Sequence, residues 1–266
     1  MFINDKIIFI EQPKKGSTHI RKLLSQILDG ELIGKHNKVS SDLLNNRRKI
    51  IGSIRNPWER YLSLWAFGCR GMGGVHQNTT NSHNNYRVLS VRGNNSLNER
   101  TPDSLFQDRI AFRKDLYVDI DDAERFRRWL YLSQDKNYRG DIDLEYVNFP
   151  LSEFAGLLTY RYLDLFCNGD LVRLHHLEQL KIFIDQNGIV DYFIRNEFLE
   201  DDLIAVLSKC GEHISQLNRQ VIYCTDKSNV SLRKVSTRYY YDTDTIEPIR
   251  QREQFVIEKF GYQPPS

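Results

Sequence analysis

Long hydrophobic runs are missing from this chain of 266 residues. No apolar stretch approaches the roughly 18–20 residues that a membrane span needs, so no span is expected. The N-terminus leads directly into the apolar segment KIIFI (6–10), which leaves no room for a signal peptide. Cysteine is scarce: Cys69, Cys167, Cys210 and Cys224 are widely spaced and form no CxxC pair. Without a secretion signal, that pattern points to reduced thiols in a cytoplasmic protein. The chain also has little net charge, only +2, so as a whole it lacks the basic footprint of a nucleic-acid binder. Internal repeats and clear linkers are absent too, and a single domain over 1–266 is the simplest organisation. Hydrophobic residues at 40% and charged residues at 27% are ordinary for a soluble globular protein with a sizeable core.

The charge that is there is unevenly placed. Residues 1–70 carry a net +7 and the remainder −5. A small polyanionic ligand held near the N-terminal part would account for that asymmetry.

Two buried-strand patterns lie in this basic region. KIIFI (6–10) and KIIGSI (49–54) are short apolar runs suited to parallel strands covered on both faces. Each is followed by a loop and a helix. Ile20, Leu23, Leu24, Ile27 and Leu28 repeat at helical spacing over about 18–29. Pro57 stands where a second helix starts, and Tyr61, Leu62, Trp65 and Ala66 give it an apolar face. Strand–loop–helix repeated twice predicts an α/β fold with a central parallel sheet flanked by helices. Residues 71–104 are rich in Gly, Asn and Ser without a sustained period, and read as a long polar loop or insertion. Helical patterns return near 103–113, 122–133, 151–165 and 197–211, with a later strand at 190–195. The closing segment reads as an extended aromatic stretch, including Tyr239–Tyr241, followed by a final helix.

The first loop, PKKGST (13–18), suits an anion. The first N–H groups of a helix have no intrahelical acceptor, and the helix dipole adds positive charge there. Gly16 allows close backbone approach, Ser17 and Thr18 offer hydroxyls, and Lys14 and Lys15 add full charges. A nucleoside-triphosphate P-loop fits poorly, because its lysine follows the second of two glycines. Here both lysines precede the only glycine. In the second stretch, IGSIRNPWERYLSLW (51–65), Arg55 ends a strand and Ser63 lies eight residues on. An arginine so placed can grip a phosphate bidentately, and a serine two turns into the next helix can reach another oxygen. Open α/β sheets bind ligands at such strand ends.

PKKGST resembles the 5′-phosphosulfate loop of sulfotransferases, P-K-[TS]-G-[GT]-T, and RNPWERYLS (55–63) resembles their 3′-phosphate motif, R-[ND]-P-x-x-R-x-x-S. Order and spacing agree. FIRNEFLEDDL (193–203) and the C-terminal segment resemble parts of the carbohydrate-type and bacterial branches. The departures are Lys15 and Ser17, where Thr or Ser and Gly are commoner. The resemblance implies a three-layer, P-loop-like domain that transfers a sulfuryl group from PAPS (3′-phosphoadenosine 5′-phosphosulfate, leaving PAP) to an acceptor hydroxyl or amine; the branch resembled favours a saccharide, with a lipid, a tyrosine and a natural-product phenol left open. No metal is expected. It implies that Lys14 meets charge on the leaving phosphate. Backbone N–H groups of Lys15, Gly16, Ser17 and Thr18, with the Thr18 hydroxyl, would hold the 5′-phosphate; Arg55 and Ser63 would hold the 3′-phosphate. Arg233, in a late basic loop, would join them.

Attack by a hydroxyl needs a base. His36, between the two phosphate motifs, is the candidate, with Glu11 and Glu31 as rivals. Glu197, in the RNE stretch, reads as structural, and Trp58 and Trp65 as helix packing. His76 and His83 flank an Asn-rich stretch without the partners of a metal site. The competing function is a P-loop-type nucleotide kinase or a nucleotide-binding module without transfer activity.

Overall fold

The computed structural model describes residues 1–12, 16–34, 38–44, 47–80, 110–227 and 232–266. Lys14, Lys15, His36 and His83 lie outside the described residues, as does most of the expected 71–104 loop. The strands are β1 (Phe2–Ile3), β2 (Ile7–Phe9), β3 (Glu31–Leu32), β4 (Lys49–Ile54) and β5 (Tyr192–Arg195). The principal helices are α1 (Ser17–Ile27), α2 (Pro57–Gly68), α3 (Ala123–Gln134), α4 (Leu199–Lys209), α5 (Thr243–Arg252) and α6 (Gln254–Phe260). The chain divides into two compact units, the first formed by residues 1–56, 161–171 and 178–230, the second by 57–160, 172–177 and 231–266.

The first unit is an α/β body built on a five-stranded sheet in the order β3-β1-β2-β4-β5. β2 runs parallel to β4, with Phe9 opposite Ile51, and β4 parallel to β5, with Ile54 opposite Arg195. These are the apolar runs of the sequence, buried on both faces as interior parallel strands are. The sheet is nevertheless mixed rather than wholly parallel, because β1 pairs antiparallel with β2 and β3. The cause is local. Asn4 Oδ1 accepts hydrogen bonds from the N–H groups of Lys6 (2.9 Å) and Ile7 (2.8 Å), which turns the chain back tightly.

Alternation along β5 assigns the two faces. Ile194 joins a core with Phe9, Ile20, Leu23 and Leu203, so α1 and α4 cover that side. Phe193 points the other way and packs on Phe166 and Tyr162, with ring centroids 5.2 and 5.6 Å apart. Those rings crowd β4, where a Cβ on Gly52 would lie 2.8 Å from Phe193.

Among its described residues the second unit is helical around an aromatic core. Trp58, Trp65 and Phe126 are fully buried, and Tyr61, Trp129 and Tyr241 nearly so. Trp65 and Tyr241 each meet Phe126 edge-on, at 5.4 and 5.0 Å. Three segments depart from expectation. Gly74–Thr80, inside the expected loop, is helical. Thr237–Tyr240 is a helical turn instead of extended chain, because buried Tyr240 and Tyr241 are packing residues and override the strand preference of tyrosines. The single final helix is two, α5 and α6, which meet at Glu253. No helix among the described residues is long and apolar enough to cross a membrane.

Candidate functional site

The site in the first unit grows from the ends of two neighbouring parallel strands. β2 leads toward Gly16 and α1; β4 leads into Arg55. α1 starts on Gly16 at φ +73°. A Cβ there would also sit 2.3 Å from Asn196 Oδ1. Two independent constraints therefore demand glycine: the left-handed backbone and the Asn196 amide pressed against it.

The N-terminus of α1 is electrostatically open. It has no side-chain cap and no acidic residue in its first turn. Its first two residues, Ser17 and Thr18, donate no backbone hydrogen bond among the described residues, whereas the N–H groups of His19 and Ile20 both reach Gly16 O. Ser17 departs from its expected role in one respect. Its hydroxyl is buried and donates to Gln12 O (2.8 Å), closing the loop, so its N–H is the group that can meet a ligand. Thr18 is exposed and its hydroxyl is available.

β5 ties the two loops together, which sequence reasoning only partly anticipated. Asn196 packs on Gly16, and Glu197 accepts the Asn56 N–H (2.7 Å), fixing the backbone just after Arg55. Arg195 is in turn clamped by Asp202, with Nε at 2.8 Å and an outer nitrogen at 2.9 Å. The clamp holds the Asp202 carboxyl below its ordinary range despite partial burial, which acts the other way. The RNE segment thus positions both loops. The structural reading of Glu197 agrees with this, but the role of Asn196 carried no signal in the sequence.

Several buried polar atoms beside the loop lack a partner among the described residues: Gln12 Oε1, Ser53 Oγ and both ring nitrogens of His19. Gln12 and Ser53 are fully buried and His19 is 3% exposed. Burial lowers the His19 pKa; Glu200 opposes this, and Lys22 and Lys227 reinforce it. Native interiors rarely leave such atoms unsatisfied, and functional sites are one place where they do.

Other site residues are distributed as follows. Arg55 is half-buried in the first unit. Ser63 and Arg233 belong to the second, where Arg233 lies 3.7 Å from Glu59. Glu59 and Ser63 are four residues apart on α2 and so share a face. Glu11, a rival for the base, is buried between the Met1 nitrogen (2.7 Å) and Arg21 Nε (3.6 Å). Glu31 is exposed on β3. The four thiols are free, and burial pushes Cys69 up to about 12 and Cys210 to about 11, far from a thiolate nucleophile. Among the described residues no cluster of His, Cys, Asp or Glu could hold a metal ion.

Compared with protein-family models, with curated proteins and with solved structures, the chain matches none.

Proposed function

We propose that the chain is a PAPS-dependent sulfotransferase with a three-layer, P-loop-like core, acting on an acceptor hydroxyl of a saccharide. One observation carries the reading: uncapped α1, starting on Gly16 where no side chain fits, and Arg55 follow adjacent parallel strands. A ligand with two separate phosphate groups would engage both, and the orphaned Gln12 and Ser53 oxygens leave polar capacity beside them.

PAPS, when bound, supplies the sulfuryl group and a leaving phosphate. The chain's own residues would act as follows. The Lys15, Gly16, Ser17 and Thr18 N–H groups, with the Thr18 hydroxyl, hold the 5′-phosphate. Arg55 grips the 3′-phosphate with charge-assisted hydrogen bonds; the same role for Ser63 and Arg233 rests on the sequence motifs alone. Lys14 neutralises negative charge on the leaving oxygen, the kind of preorganised electrostatic assistance that dominates such transfers. His36 takes the proton from the attacking hydroxyl. The roles of Lys14, Lys15 and His36 rest on the sequence motifs alone.

The test is incubation with labelled PAPS and a panel of saccharide, phenol, lipid and tyrosine-peptide acceptors, read by mass spectrometry. A sulfate increment on a saccharide is the expected result. Turnover of ATP with Mg²⁺ in its place would favour the kinase reading.

A further inference from the structure

A groove in the second unit has none of its chemistry accounted for by phosphate binding. It lies along α3 and α5, and its volume is about 1160 Å³. That exceeds the roughly 300–1,000 Å³ usual for drug-sized ligands, so it suits an extended oligomer better than a single small molecule. Three of its rings are exposed: Phe112 at 47%, Tyr131 at 67% and Tyr138 at 40%.

Charge selects the class of ligand. The cations along the groove already have partners in the second unit. Arg127 pairs with Asp242 (3.0 Å), Arg128 with Glu124 (3.1 Å) and Arg113 with Asp141. Arg252 turns inward to Tyr146 Oη and the carbonyls of Ser152 and Ala155. Asp135 and Asp244 also line the groove and have no cation partner among the described residues. An anionic ligand would therefore meet carboxylates with no cation beside them, Asp244 at the start of α5 and Asp135, which accepts the Asn137 N–H (2.7 Å). A hydrocarbon chain would shut those carboxylates off from water and offer no donor in exchange, a poor use of such a lining. A neutral, hydroxyl-rich chain with apolar faces meets both demands: its C–H faces lie on aromatic rings, and its hydroxyls donate to carboxylates.

We infer that this groove binds a neutral oligosaccharide, a reading that does not depend on the proposed sulfotransferase activity. Tyr131 and Tyr138 are the platforms, and Asp135 and Asp244 accept the hydroxyls.

The test titrates the full chain with maltohexaose, cellohexaose and chitohexaose, followed by saturation-transfer NMR and calorimetry. PAP is titrated in parallel. At least one sugar is expected to bind, with affinity falling tenfold or more in Tyr131→Ala and in Tyr138→Ala. Both rings are exposed, so circular dichroism and PAP binding should match wild type. Asp244→Asn should weaken the sugar less than either ring removal. Three outcomes overturn the proposal: no hexasaccharide binds at millimolar concentration, the tyrosine variants bind as wild type does, or oleate binds the groove and the sugars do not. Sugar binding without PAP binding would overturn the sulfotransferase reading and leave the groove's ligand standing.

Discussion

α1 and α5 begin in opposite ways. α5 starts with a reciprocal capping box: Thr245 N–H donates to Asp242 Oδ1 (2.9 Å), Asp242 N–H donates to Thr245 Oγ1 (2.9 Å), and Asp244 adds an acid to the first turn. α1 has no side-chain cap and no first-turn acid. Both termini carry the same partial positive charge. α5 neutralises it internally, and α1 leaves it exposed to whatever approaches.

Particular buried groups in the two units differ in the same sense, although the second unit also holds buried nitrogens without a partner among the described residues, namely His76 Nδ1, Arg139 Nε and Arg252 Nε. In the second, buried Glu253 accepts from Tyr61 Oη (2.6 Å), Leu158 N (3.0 Å), Thr159 N (2.7 Å) and Thr159 Oγ1 (2.8 Å). Burial raises its pKa, and these donors hold it down. In the first, Gln12 Oε1, Ser53 Oγ and the His19 nitrogens have no partner among the described residues. A buried carboxylate whose hydrogen bonds are complete, as those of Glu253 are, serves stability. Buried oxygens without a partner beside an uncapped helix are what the proposed binding site would use.

The largest expected effects come from removing the two groups to which the proposed function gives the chemistry. His36→Ala should lower sulfuryl-transfer turnover by roughly 10²–10⁴, and Lys14→Ala by about 10²–10³. Neither should move the thermal midpoint, and PAP affinity should fall less than turnover. Survival of turnover in Lys14→Ala would pass its role to Lys15. Normal rates in His36→Ala would pass the base to Glu11 or Glu31.

Removing the second unit's buried carboxylate should affect stability instead. Glu253→Ala leaves several buried donors without an acceptor, at about 1–3 kcal/mol each. Urea unfolding should therefore show a loss of several kcal/mol. Ser53→Ala removes an atom with no partner among the described residues and should be close to neutral; a comparable loss there would break the contrast.

A charge reversal sharpens the comparison between helix starts. Thr18→Glu places an acid in the first turn of α1, as Asp244 does in α5. It should stabilise the fold by about 0.3–1 kcal/mol and at the same time abolish detectable PAP binding. Stabilisation with PAP binding intact would mean that the α1 terminus is not the anion site.

The smallest expected effect is a pH slope. Burial lowers the His19 pKa from its model-compound value of 6.5. The unfolded chain therefore takes up a proton before the folded one, so stability is full above pH 6.5 and declines as pH falls toward the folded pKa. His19→Gln should flatten that decline between pH 5 and 7 in urea titrations. An unchanged slope would remove His19 from the account.

The strands that carry the site were legible because KIIFI and KIIGSI are continuous apolar runs, the mark of strands buried on both faces. The left-handed glycine that starts α1 was legible as Gly16, and Pro57 marked the start of α2. β1 and its antiparallel pairing were not, since two residues and an Asn turn carry too little pattern. Tyr239–Tyr241 misled because aromatic strand preference is weaker than the burial of Tyr240 and Tyr241 in a helical core. The contacts that brace the site, Asn196 on Gly16 and Glu197 on Asn56, join positions more than 140 residues apart. Local pattern holds no information about such pairs.

The account stands most directly on whether the two loops recognise two phosphates. Calorimetric titration of PAP and ADP into wild type and Arg55→Ala decides it. A charge-assisted hydrogen bond is worth about 1.5–3 kcal/mol, so PAP should bind wild type at least tenfold tighter than ADP. Arg55→Ala should remove most of that difference and leave ADP affinity nearly unchanged, because the α1 loop is untouched. Equal affinities for PAP and ADP in the wild type would contradict the sulfotransferase reading.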